Sequence, residues 1–255
     1  SPIVFLRLNK NFKKRGLKVS AVATKGSIAM DKLKADFIKV APGAESAAVA
    51  GLALTAKSVI LVGERASESA GLFSAVAALA AKTGAKVAYI PRRAGERGAL
   101  EAGALGNVLP GGRPVMDAAA RVDIAAAWGV DSLPATPGRT STQIIDALAA
   151  GDLDAVVVGG VDAHDLPHSR AVLDALKKSF VVSLEIAPSS VTAVADVVLP
   201  VAAITEKSGS FLNWEGRARA FDSAVADSNN RSDVRILSML ADALGNPISL
   251  CTVTS

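Results

Sequence analysis

The sequence has one cysteine, Cys251, which excludes an internal disulfide, a zinc site of paired thiolates and a four-thiolate iron–sulfur cluster within this stretch. No histidine partner for that thiol is identifiable, so its expected state is a bland buried or terminal one in a reducing compartment. Long apolar runs are also missing. Mean hydropathy is +0.36, yet runs such as Val59-Ile60-Leu61-Val62 fall far short of the ~20 residues a spanning helix needs; alanine carries the excess. No basic segment leading into an apolar stretch and a cleavage site is visible, and the expectation is a soluble protein without direct membrane insertion. Neither a GxGxxG nor a Walker pattern occurs, and no serine sits in a G-x-S-x-G elbow, which weakens the nucleotide-binding and hydrolase readings. The net charge of +4 comes from basic residues scattered among nearly as many acids, so no nucleic-acid partner is expected.

What is present is a core-forming composition, 50% hydrophobic and 20% charged, arranged in a recurring alternation of helix and strand. The opening reads as helix, with Ser1 and Pro2 at its start and Lys13-Lys14-Arg15-Gly16 at its end. An α/β chain usually begins with a strand, so the expectation is a piece of a longer polypeptide. Leu17 to Ala23 and Phe37 to Val40 read as strands, Glu45 to Ala56 as helix, and Val59 to Val62 as a strand buried on both faces. Ser67 to Thr83 reads as helix and Ala85 to Ile90 as strand. A Gly-rich segment from Arg92 to Pro114 shows no packing periodicity and reads as a lobe boundary or contact loop. The alternation resumes beyond it with a helix over Ser141 to Ala150, strands at Ala155 to Gly159, Phe180 to Leu184 and Asp196 to Val201, and a last helix from Asp233 to Leu244. The pattern predicts an α/β fold with doubly wound, mainly parallel sheets in two lobes, over residues 1–112 and 113–206, followed by a segment over 207–255.

Ligands of doubly wound sheets bind beyond the carboxyl ends of strands, which makes Gly63 with Glu64-Arg65, and Gly159-Gly160-Val161-Asp162, the candidate contacts. A tight turn is the competing reading of those glycines. His164 and His168 would share a face of a helix, but Pro167 argues against that helix and no third ligand stands at a metal-site spacing; a polar loop is the better reading, and no metal site or catalytic residue is expected. Arg92, Arg93, Arg97 and Arg113 could hold an anion, although interleaved Glu96 and Glu101 favour a solvated loop.

The least ordinary stretch is Glu206-Lys207-Ser208-Gly209-Ser210-Phe211-Leu212-Asn213-Trp214-Glu215-Gly216-Arg217. It spends two large aromatics, in a chain with 4% of them, between two glycines. That composition suits either a segment wedged between lobes or a hairpin closing a core edge. With Ala195-Asp196-Val197-Val198-Leu199-Pro200 before it, the stretch resembles the E-K-x-G-T-F-x-N-x-E-G-R segment of the molybdopterin oxidoreductase superfamily, whose formate dehydrogenase and DMSO reductase members carry two such α/β domains. The tryptophan form, with Ile90 to Ala99 and Val158 to Asp162, resembles one branch in particular, the large peripheral-arm subunits of bacterial respiratory NADH-quinone oxidoreductase, complex I. The resemblance covers about Ser1 to Leu244.

It implies a cofactor-free scaffold on the cytoplasmic side of the plasma membrane. Its implied partners are other complex I subunits and an iron–sulfur domain of its own chain, where the clusters would reside. It also implies that Glu206, Gly209, Phe211, Asn213, Trp214, Glu215, Gly216 and Arg217 are structural. In catalytic relatives, loops matching Gly63 and Gly159-Gly160-Val161-Asp162 contact the guanine dinucleotide of the cofactor. Here Glu64-Arg65 replaces an Asn-Pro or Asp-Pro turn and Asp162 lacks its adjoining proline, which speaks against a bound molybdopterin. The alternative is part of an active bis-molybdopterin guanine dinucleotide enzyme.

Overall fold

A computed structural model describes residues 2–213, 215–225 and 228–248. Ser1, Trp214 and Cys251, each singled out in the sequence, lie outside the described residues. The chain divides into two compact units, Ser1–Glu96 and Arg97–Ser255, so the division falls inside the Gly-rich segment.

In the first unit, α1 (Pro2–Arg15) ends on three cations and has no buried residue. β1 (Ser20–Ala23) and β2 (Asp36–Lys39) pair in parallel; between them stands α2 (Ile28–Lys32), capped by Ser27 and too short to show periodicity. α3 (Glu45–Ala50) stops at Gly51, well before the expected Ala56, because the Leu52 amide turns back to the Val49 carbonyl. β3 (Val59–Gly63) and β4 (Lys86–Ile90) pair in parallel from Val59 opposite Lys86 to Gly63 opposite Ile90. The helix expected over Ser67 to Thr83 is split into a 3-10 turn, Glu64–Glu68, and α4 (Leu72–Thr83), because Gly71 takes φ 73° between them. α4 buries Leu72, Val76 and Leu79 on Val49, Val62 and Ala66. That contact is the core of this unit, and a fully buried side chain of this size is worth roughly 1.5–3 kcal/mol.

Expected burial of β3 on both faces is not met. Val62 is buried, but Val59 is 58% and Leu61 41% exposed. Alternation on a pleated strand puts these two on the face opposite Val62, and that face is uncovered.

The Gly-rich segment, which runs from the first unit into the second, is folded where no regular structure was expected. α5 (Glu96–Glu101) is held by an Arg97–Glu101 pair at 2.6 Å. β5 (Val108–Leu109) and β6 (Arg113–Pro114) form an antiparallel pair, turned by Gly111 and Gly112 at φ 83° and 66°. These elements are shorter than a period of either pattern. α6 (Ala118–Trp128) is capped by Asp117, and α7 (Ser141–Ala150) opens with a Thr140–Gln143 capping box and closes at Gly151 with φ 81°. β7 (Ala155–Gly159), β8 (Phe180–Glu185) and β9 (Val197–Pro200) make a parallel sheet with β8 central. Val181 and Ser183 of β8 are buried at 0% and 1%. α8 (Ser169–Leu176) crosses from β7 to β8 and buries Val172, Ala175 and Leu176 against Leu148 and Val181. β10 (Gly209–Leu212) and β11 (Ala218–Phe221) form an antiparallel hairpin, and α9 (Asp233–Ala243) follows, capped by Ser232. Helix and parallel strand alternate in both units, as predicted for an α/β fold.

Candidate functional site

The carboxyl ends of the parallel strands come first. β3 ends at Gly63, in extended backbone at φ −93°, where an added Cβ would meet nothing within 4 Å. The turn beyond it carries Glu64, whose carboxylate reaches the Nε atoms of Arg92 and Arg93 at 3.5 Å each. An open cleft of about 370 Å³ lies there, lined by Gly63, Glu64, Arg65, Ile90 and Arg92. Beside it, burial pushes the Tyr89 phenol up, and the charge of Glu96 adds to that.

At the β7 end, Gly160 stands at φ 62° and donates its amide to the Leu184 carbonyl, so that N–H is spent inside the sheet. The Asp162 carboxylate accepts from Ser190 Oγ at 2.5 Å and from the His164 amide at 2.9 Å. The Ser190 bond, with the His164 amide second, holds it below the usual carboxylate range. Asp162 therefore caps the 3-10 turn Ala163–Asp165. His164 sits in that turn and His168 takes φ 57° before α8, so no helix joins the two imidazoles. Among the described residues no group of three or more His, Cys, Asp or Glu could hold a metal ion.

The four arginines of the Gly-rich segment each have a carboxylate: Glu64 for Arg92 and Arg93, Glu101 for Arg97, and Asp123 for Arg113 at 2.9 Å. The sequence offered Glu96 and Glu101 as counter-charges. Glu64 and Asp123 come close only through the fold.

The family stretch is built as a clasp. Glu206 closes the 3-10 turn Ile204–Glu206 by accepting from the Ala203 amide at 2.8 Å, and it accepts as well from Ser228 Oγ at 3.0 Å and from Asn230 Nδ2. These bonds, the Ala203 amide foremost, hold its carboxyl below the ordinary range. Lys207 pairs with Asp233 at the start of α9. Asn213 Oδ1 accepts from the amides of Glu215 and Arg217 at 2.9 Å each, and the Gly216 amide returns to the Asn213 carbonyl with Gly216 at φ 78°. Glu215 and Arg217 pair at 3.3 Å. Phe211 and Phe221 stack with centroids 5.0 Å apart. A Cβ on Gly209 would lie 2.7 Å from the Phe221 ring, so any other residue there must displace that ring. Upstream, Asp196 accepts from the Val181 amide at 2.8 Å and returns its own amide to the Val181 carbonyl, setting the approach of β9 to β8. Every described polar side chain of the motif from Glu206 to Arg217, Ser208 and Ser210 apart, is thus joined to another group of the protein.

A second cleft, of about 490 Å³, lies beside the clasp and is lined by Leu199, Pro200, Asn230, Arg231, Ile236 and Leu240. Its walls are mainly aliphatic and hold no acid–base pair. Sequence reasoning missed both it and the Glu206–Asn230 tie, since partners 24 residues apart leave no local pattern.

Helices alternating with parallel strands in both units, and an antiparallel hairpin after the three-stranded sheet, make this an α/β protein. The molybdopterin oxidoreductase family model matches residues 1–243, and the chain belongs to that family. More particularly, it is similar to the G subunit of NADH-quinone oxidoreductase from Streptomyces coelicolor, 49% identical over 96% of this chain and 32% of the relative. It is similar to the Mycobacterium tuberculosis protein of the same name, 46% identical over 99% of this chain and 33% of the relative. Formate dehydrogenase H of Escherichia coli is 32% identical over 60% of this chain and 22% of the relative. The chain spans about a third of the length of the Streptomyces and Mycobacterium relatives.

Proposed function

We propose that the chain is the cofactor-free, molybdopterin-enzyme-like scaffold of an NADH-quinone oxidoreductase large subunit, supporting electron transfer from NADH to quinone without performing chemistry itself. The observation that carries this is the donor set at the strand ends. A pyrophosphate needs free amides and unpaired cations. At the β3 end Glu64 sits on Arg92 and Arg93; at the β7 end, taken by itself, the Gly160 amide is bonded within the fold and the Asp162 carboxylate is held by Ser190 and the His164 amide. A guanine dinucleotide does not fit these groups. Gly63, Gly159, Gly160 and Asp162 are then turn and capping residues of an inherited fold.

Assembly in a larger body is supported by exposure. Val59, Leu61, Val122, Val157 and Phe180 lie among the exposed apolar residues, and surface of that kind marks interfaces. The partners proposed are the other subunits of the complex and the cluster-bearing domain of the same polypeptide. Among the described residues no helix is long and apolar enough to cross a membrane, and we place the scaffold on the cytoplasmic side as a peripheral part.

Isolation of the tagged complete protein tests this reading. It is expected to bring down NADH-quinone oxidoreductase subunits, while the chain alone shows no NADH:acceptor turnover. Turnover by the chain alone would overturn it.

A further inference from the structure

Arg92 and Arg93 stand just past Pro91, beyond the end of β4 at Ile90, at the carboxyl end of a parallel pair, the position at which doubly wound sheets present cations to phosphates. Their side chains are 68% and 81% exposed, while the Glu64 side chain they share is 25% exposed. One carboxylate oxygen of Glu64 faces each guanidinium, Oε2 toward Arg92 and Oε1 toward Arg93. That is the arrangement in which two arginines grip the oxygens of a phosphate. Glu96 Oε1 adds an acceptor for the Arg93 amide at 3.3 Å. Arg65, Arg92 and Arg93 thus stand against Glu64 and Glu96, and an incoming phosphate would meet the Glu64 charge inside the cleft that Gly63, Arg65 and Ile90 also line.

We propose that Glu64 is a built-in anion standing in for a phosphate on Arg92 and Arg93, so that its charge is what closes this strand-end cluster to phosphate-bearing ligands. This deepens the cofactor-free reading above by naming the residue that shuts the loop. The arginines are retained in a geometry that accepts an anion once the carboxylate is neutral.

Titration of the intact chain with inorganic pyrophosphate, followed by calorimetry at about 10 mM ionic strength, reads the cluster. Glu64→Gln is expected to bind roughly five- to tenfold more tightly than the unaltered chain, the effect of removing one unit charge at contact distance. Glu64→Asp, which keeps the charge, is expected to stay with the unaltered chain. Adding Arg92→Gln and Arg93→Gln to Glu64→Gln is expected to abolish the gain. Equal binding by the unaltered chain and Glu64→Gln would overturn the proposal, and so would a gain by Glu64→Asp as large as that of Glu64→Gln. Glu64→Ala serves as the second neutral variant. Failure of both neutral variants to fold by circular dichroism would make the carboxylate a structural requirement rather than a counterion, and would also overturn it. Stoichiometric molybdenum in the complete protein would sink the scaffold reading while leaving this titration to stand or fall separately.

Discussion

Two glycines show how differently the same residue type is used. Gly209 faces the Phe221 ring, where an added Cβ would lie at 2.7 Å. Gly209→Ala is expected to cost roughly 1–3 kcal/mol through displaced packing of the Phe211–Phe221 stack, read as a lower urea midpoint. Gly63 has open space and extended backbone, so Gly63→Ala is expected to stay within about 0.5 kcal/mol. Glu206 makes a pH prediction. Its folded-state pKa is lowered, chiefly by the Ala203 amide, so its contribution is present above the unfolded value near 4.5 and is lost as pH falls through the lowered one. Unfolding measured at pH 7 should therefore show Glu206→Gln less stable than the unaltered chain, with the difference shrinking below about pH 4.5; a difference that grew on acidification would contradict this.

At the scale of elements, the hairpin of β10 and β11 depends on Asn213, whose Oδ1 organises the turn amides of Glu215 and Arg217. Asn213→Ala is expected to cost about 1–2 kcal/mol and to speed hydrogen exchange at the Glu215 and Arg217 amides, which lose their acceptor, with β7, β8 and β9 unaffected. The parallel strands were legible in the sequence because Val59 to Val62 and Ala155 to Val158 are short apolar runs each closed by a glycine. The α5 helix and the β5–β6 pair were not, since elements of six and two residues carry no period. The exposed face of β3 was not legible either: an apolar run states that both faces suit burial, and it is silent on where the covering atoms come from. A hairpin over the motif was foreshadowed by its glycines and aromatics, whereas the ties of Glu206 to Ser228 and Asn230 needed the fold to bring distant segments together.

For the molecule as a whole, charge is divided in a way that its net value hides. Residues Ser1–Glu96 hold sixteen Lys and Arg against six Asp and Glu, while Arg97–Ser255 hold twelve against eighteen. Much of the basic share lies on α1, where Lys10, Lys13 and Lys14 are exposed. Fields of opposite sign steer partners of opposite charge and weaken with salt. Association of the complete protein with its proposed partner subunits should accordingly slow as ionic strength rises, with Lys10→Glu, Lys13→Glu and Lys14→Glu together slowing it at low salt; surface plasmon resonance reads both. Val59→Thr with Leu61→Thr should leave the chain's own unfolding midpoint nearly unchanged, because both side chains are already exposed, and reduce recovery of partner subunits. The measurement that bears most directly on the scaffold reading is joint metal and pterin analysis of the complete protein purified from its native membranes. The account predicts iron without stoichiometric molybdenum, tungsten or pterin; one molybdenum or tungsten per chain, with its organic cofactor, would contradict it.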